Sequence, residues 1–208
     1  MLLDATCPVC HRFGRAPCAR CAASVGPAGH EAGVPAVLAY TGAGRRLVLA
    51  LKHGHAQPLV RGLARAMAVQ VRGFEVDVVT WAPTSASRRR RRGYDQAELL
   101  ARAVARQLGV PCRRLLARRE DGRGPQAGRS RRERLDGPVF VVRGRVPPAV
   151  LLVDDVVTTG ATLQAAEVAL TAAGARRVRC IAAAATPSGS SVPTPSLGAR
   201  PRASPRPV

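Results

Sequence analysis

A chain of 208 residues can bury one medium core and carry a small appendage, and with aromatics at only 3% that core must be built from Ala, Val and Leu. The formal charge of +20 is almost all arginine, Lys52 being the one lysine; it favours polyanionic partners, although an Ala- and Arg-rich composition also arises from biased codon usage on an ordinary solvated surface. No apolar run approaches the roughly 18 residues that cross a bilayer, and the start MLLDATCPVC lacks a signal peptide's charged and apolar regions, so the expectation is a cytoplasmic protein with no membrane span.

Four of the six cysteines open the chain. Cys7, Cys10, Cys18 and Cys21 form two C-x-x-C pairs separated by seven residues. Each pair can chelate one ion through a tight turn, and four thiolates close a tetrahedron around zinc, which supplies folding free energy to a segment too short for its own core. Disulfide pairing or a redox C-x-x-C is the alternative, and His11 is a substitute ligand. Four thiolates leave no open position for chemistry, so the zinc site reads as structural. Residues 26–33, rich in small side chains, read as a linker.

Residues 34–40 read as a strand and 45–52 as a short amphipathic helix ending in LKHGH. Lys52, His53 and His55 either reach an anion or sit favourably against the dipole of a helix C-terminus. Residues 59–71 have apolar side chains at helical spacing, with Arg61, Arg65 and Arg72 outside. A buried strand over 76–82 leads into Pro83, Thr84, Ser85, Ala86 and Ser87, and a loop at the carboxyl end of a strand is where open α/β sheets bind ligands. Five arginines follow at 88–92; they cannot all share one face, and after that loop they read as an anion-facing loop ahead of a helix over 96–108 capped by Asp95. The basic stretch 113–134 has no periodic apolar face and reads as a long loop or short helix. It either closes over a polyphosphate or is a surface insertion.

Residues 140–142 and 150–153 are strands, and a last strand is expected at 177–184. The second of these opens LLVDDVVTTGATL, residues 151–163. Its apolar composition predicts a strand buried on both faces that ends at Asp154 and Asp155. After Val156 and Val157 come Thr158, Thr159, Gly160, Ala161 and Thr162, then an alanine-rich helix to about residue 173. Small residues at a strand-to-helix turn let backbone N–H groups point outward together beside the partial positive charge of a helix N-terminus, which holds a phosphate. The carboxylates are placed to accept from sugar hydroxyls or to hold magnesium through water. A buried strand with an ordinary helix cap is the plainer alternative. The turn has no Lys, as a Walker loop needs, and no G-x-G-x-x-G.

This thirteen-residue pattern resembles the phosphoribosyl pyrophosphate loop of type I phosphoribosyltransferases. The resemblance implies that Thr158, Thr159, Gly160, Ala161 and Thr162 wrap the 5-phosphate, that Asp154 and Asp155 bind the ribose as the catalytic pair, that Thr84, Ser85, Ala86 and Ser87 meet the pyrophosphate, and that magnesium accompanies the ligand. The wider order of zinc ribbon, LKHG, R-G-Y-D-Q-A-E-L-L at 92–100, the Gln126/Arg134 pair and the phosphoribosyl loop resembles the ComF family of competence-associated proteins. Departures from that family's pattern are Asp95 where Asn is commoner, LDGPVF after Arg134 without the usual Asn, and Thr84 and Ser85 where His and Pro are common.

The resemblance implies an α/β fold of the type I phosphoribosyltransferase kind: a mainly parallel sheet with helices on both faces over 34–185, after a zinc-binding module and linker at 1–33 and before a disordered Pro- and Ser-rich tail at 186–208. It implies binding of phosphoribosyl pyrophosphate or a related sugar phosphate, with pentosyl transfer as the reaction if the chain is an enzyme. A role in competence-linked uptake or handling of single-stranded DNA goes with it. The alternative function is a non-catalytic basic adaptor that binds single-stranded nucleic acid and, through the zinc module, a helicase or DNA-uptake partner.

Overall fold

The computed structural model describes residues 6–14, 16–28, 30–51, 57–119 and 138–187. The expectations for Lys52, His53, His55, Gln126, Arg134 and the tail from 188 onward lie outside the described residues. The strands are β1 (His30–Glu31), β2 (Val34–Ala39), β3 (Val78–Trp81), β4 (Leu116–Arg118), β5 (Phe140–Val142), β6 (Ala149–Val157) and β7 (Arg177–Ala185). The helices are α1 (Ala19–Ala23), α2 (Gly42–Ala50), α3 (Gln57–Gln70), α4 (Ala86–Arg92), α5 (Gln96–Leu108) and α6 (Ala161–Ala172).

One sheet has the order β1-β2-β7-β6-β3, with β2, β7, β6 and β3 mutually parallel and β1 antiparallel at the edge. The strands β4 and β5 form a separate antiparallel pair. Period-two alternation along the central strands divides the core. Leu151, Val153, Val79, Trp81 and Ile181 face α3 and α5, where Leu63, Met67, Leu100 and Val104 meet them. Val150, Leu152, Val78 and Ala182 face the other way, onto Leu163, Ala166 and Leu170 of α6 and onto Leu116 and Phe140. With helices on both faces, the phosphoribosyltransferase-like α/β architecture expected from the sequence is present.

Four local readings are corrected. The run over 150–153 does not stop at the two acids: β6 continues to Val157, with Asp154 opposite Ala182, Val156 opposite Ala184 and Val157 opposite Ala185. The alanines of β7 are small enough for the acid-bearing part of β6 to stay paired. The arginine run is a helix, α4, not a loop. The Ser85 side chain accepts from the Arg88 N–H at 3.4 Å, Gly93 at φ 79° terminates it, and arginine is a good helix former between those brackets. Residues 26–33 are woven into the sheet and are not a free linker, since β1 pairs with Val34 and Pro35, Pro27 bridges Leu38, and the Ala39 N–H donates to the Gly26 carbonyl at 3.0 Å. Within the stretch read as a loop, residues 116–118 are strand β4, with Leu116 buried beneath the pair.

The cysteine-rich segment packs on the main core. Cys7, Val9 and Cys21 are buried in the same cluster as Leu47 and Val48 of α2, and the Arg46 Nη1 donates to the Val9 carbonyl at 3.1 Å. Because Leu152 is fully enclosed between β3, β7 and α6, Leu152→Ala is expected to lower unfolding free energy by about 2–5 kcal/mol. Val168→Ala, at a position 64% exposed, is expected to change it by less than about 0.5 kcal/mol. Urea unfolding of the two variants checks this, and equal midpoints would contradict the core assignment.

Candidate functional site

The chain leaves β6 at Val157 and turns through Thr158, Thr159 and Gly160 into α6. Thr158 and Thr159 are exposed, and the turn lines a cleft together with Asp154 and the first residues of the helix. The N-cap residue of α6 is Gly160, which has no side chain to cap the helix. Among the described residues, the main-chain N–H groups of Thr158, Thr159 and Gly160 donate to no acceptor, while the Ala161 N–H reaches the Thr159 Oγ1 at 3.5 Å. An uncapped helix start with unclaimed donors and a positive dipole end can hold an anion.

Gly160 is required twice over. Its φ of 77° is left-handed, and a Cβ there would stand 2.8 Å from the Cβ of Ala32. Ala32, at φ 51° in the β1–β2 turn, therefore packs directly against Gly160. Sequence reasoning missed this residue; the only signal was an Ala-Gly dipeptide between two short extended stretches.

Three carboxylates share this end of the sheet. The Asp154 Oδ1 accepts from the Asp155 N–H at 2.8 Å, and the Asp155 Oδ1 from the Val156 N–H at 2.9 Å. Burial, then the charge of Asp155, pushes the Asp154 carboxyl well above the usual range, and Asp95 adds to it. Asp95 is 5% exposed. Its Oδ2 accepts from the Thr84 N–H at 2.9 Å and its Oδ1 from the Ala97 N–H at 3.1 Å, and burial raises its pKa with Asp155 contributing. The sequence assigned Asp95 a helix cap, which it is; its reach to the loop after β3 was not visible there. Beside it, the buried Gln96 Oε1 accepts from the Arg92 Nη1 at 2.7 Å, and its Nε2 has no acceptor among the described residues.

The four cysteines expected to bind metal come together. Their sulfurs all lie within 4.8 Å of one another, with Cys10 and Cys18 Sγ at 3.7 Å, too far apart for a disulfide bond. His11 is not part of the set. Its N–H donates to the Cys7 carbonyl at 2.8 Å, which closes the first knuckle. Burial disfavours the Cys7 thiolate, but backbone N–H groups of Cys18, Cys10 and Val9 outweigh it and bring Cys7 down to about 6. Burial and the neighbouring thiols push Cys21 up to about 12. One thiolate thus forms readily and the last is opposed by the others, a conflict that a bound cation removes. A soft, all-sulfur set of four donors this close together fits zinc, which takes such ligands tetrahedrally.

Residues 95–195 match the family model of the phosphoribosyl transferase domain. Over 98 residues the chain is 36% identical to competence protein ComFC of Streptococcus pneumoniae (strain ATCC BAA-255 / R6), an alignment covering 47% of this chain and 43% of that protein. Over these residues the chain is similar to the phosphoribosyl transferase domain and to ComFC. Among solved structures, the allosteric regulatory enzyme of purine biosynthesis is 25% identical with a TM-score of 0.42, over 60% of this chain and 25% of that one. The purine phosphoribosyltransferase of Pyrococcus horikoshii Ot3 is 17% identical with a TM-score of 0.40, over 63% and 83%. The chain spans less than half the length of the curated relative it matches.

Two outcomes are expected at these sites. Cys7→Ser should lose about one equivalent of zinc by elemental analysis, and chelation of the wild type should lower Tm to that of the variant. A chelator-insensitive Tm in a zinc-free sample would count against a structural metal. Asp154, with its folded pKa raised, contributes stability that is present below about pH 4, near the ordinary carboxyl value, and lost as pH rises through the folded pKa. Asp154→Asn should therefore match the wild type in acid and exceed it at neutral pH, by about 2–4 °C of Tm for each kcal/mol relieved. Thermal melts across a pH series test this, and a variant less stable than wild type at pH 7 would refute it.

Proposed function

We propose that this chain binds phosphoribosyl pyrophosphate, or a closely related sugar phosphate, at the β6–α6 turn. The observation that carries the reading is the uncapped start of α6, with the N–H groups of Thr158, Thr159 and Gly160 unclaimed directly after a strand that delivers Asp154 and Asp155. Backbone donors and the hydroxyls of Thr158, Thr159 and Thr162 suit a 5-phosphate. The carboxylate pair suits the two ribose hydroxyls, because an acceptor crowded by a second charge gains most from neutral donors.

Magnesium fits the same residues. It keeps several of its waters and takes one or two carboxylates with ligand phosphates, a demand that Asp154 and Asp155 meet; when bound it would neutralise the diphosphate. In pentosyl transfer the bond from the anomeric carbon to the diphosphate breaks as the acceptor's bond forms. The carboxylates would then stabilise the positive charge that develops on the ribose, and the arginines of α4 would receive the departing anion. A part in competence-linked handling of single-stranded DNA is supported by the likeness to a competence protein and by the basic surface.

Isothermal titration with phosphoribosyl pyrophosphate and magnesium tests the reading. Saturable binding is expected for wild type, and at least about tenfold weaker binding for Asp154→Asn combined with Asp155→Asn, as for loss of hydrogen bonds to a charged acceptor. Absence of binding by the wild-type protein would remove the proposal.

A further inference from the structure

The helix α4 carries five arginines and buries none of its residues, so no apolar face holds it against the domain. Polar contacts beside its two ends run to the start of α5, and Tyr94, just past its exit, donates its hydroxyl to the Leu51 carbonyl. At the entry, the Thr84 N–H donates to the Asp95 Oδ2 at 2.9 Å, while the other oxygen of the same carboxylate takes the Ala97 N–H at 3.1 Å. At the exit, the Arg92 Nη1 donates to the Gln96 Oε1 at 2.7 Å. Asp95 and Gln96 are both buried, so the bracket stands on fixed ground.

We propose that Asp95 is a positioning residue: by bridging the loop after β3 and the first turn of α5, it aims the arginines of α4 at the carboxylate end of the sheet and so governs binding of the diphosphate part of the ligand, apart from the 5-phosphate part. This rests on the sugar-phosphate reading of the β6–α6 turn. A chain using asparagine here would have one acceptor oxygen for two N–H donors; the carboxylate serves both. The two roles that Asp95 can have differ in sign. A carboxylate acting near a polyanion through its charge alone would, once removed, let the anion bind more tightly. A positioning residue, once removed, weakens it.

The test uses Asp95→Ser in the full chain, because serine caps a helix as well as aspartate does but has a single oxygen, leaving the Thr84 N–H without its partner. Inorganic pyrophosphate and ribose 5-phosphate, each with magnesium, are titrated into wild type and variant. The expected result is pyrophosphate affinity down by about tenfold, as for loss of a charged hydrogen bond, with ribose 5-phosphate affinity within about threefold of wild type. Tighter pyrophosphate binding, or equal losses for the two ligands, overturns the proposal. If Asp95→Ser does not fold, the isosteric Asp95→Asn replaces it, and unchanged pyrophosphate affinity there overturns the proposal as well. Wild-type protein that binds ribose 5-phosphate and not pyrophosphate refutes this inference alone, whereas failure to bind either refutes the underlying reading of the site too.

Discussion

The pairing of β6 on both sides, with β7 along eight residues and with β3 along four, is the constraint from which the site follows. A strand so held has no freedom to adjust its register, because a one-residue slip would exchange its two faces, sending Leu151 and Val153 into the core shaped for Val150 and Leu152 and the reverse. Misfitted side chains in a close-packed core cost about 1–3 kcal/mol each, and the lost strand pairing adds to that penalty. The acids at 154 and 155 therefore sit where the apolar residues before them dictate, and the turn after Val157 opens at a fixed place beside β7.

Electrostatics at that end of the sheet run against the rest of the molecule. The chain carries a formal charge of +20, yet its cleft gathers Asp154 and Asp155 with Asp95 near enough to raise the Asp154 pKa. Such a local excess of negative charge lowers stability unless something donates to it. Backbone N–H groups of Asp155, Val156, Thr84 and Ala97 do part of this. Next to the acids stand the unclaimed N–H groups of the α6 turn, so the cleft presents acceptors on one side and donors on the other. The proposed ligand, with hydroxyls at one end and a phosphate at the other, would match both, and the arginines of α4 would keep the surrounding field attractive to anions.

The turn is also shaped from outside its own segment. The β1–β2 hairpin brings Ala32 against Gly160, and the same hairpin is tied back through Pro27 and Gly26 to β2 and from there to the buried Cys21. The N-terminal module is thus continuous with an edge of the sheet. Cys7 and Cys21 are buried in the cluster that holds Leu47 and Val48 of α2, beside the Arg46 contact to Val9.

Much of this was legible because local signals agreed. The run 151–163 has strand composition, paired acids, and small and hydroxyl residues before an alanine-rich helix; the doubled C-x-x-C has metal-ligand spacing; Asp95 and Gly109 bracket α5 at the boundaries expected. What escaped were features settled by partners distant in the chain. That β6 runs on through its acids depends on the small alanines of β7 lying opposite, and residues 26–33 look like a linker until β2 offers them an edge. The arginine run shows no apolar period because it has no apolar face, so periodicity was silent and only the Ser85 and Gly93 brackets, whose meaning depends on the loop being held, mark it as helix. Asp95 shows the limit most plainly. One of its oxygens does what local sequence predicts and caps its own helix, while the other reaches eleven residues back to a loop whose approach is decided by β3. A propensity rule can assign the first bond, but the second exists only once the sheet has brought the two segments together.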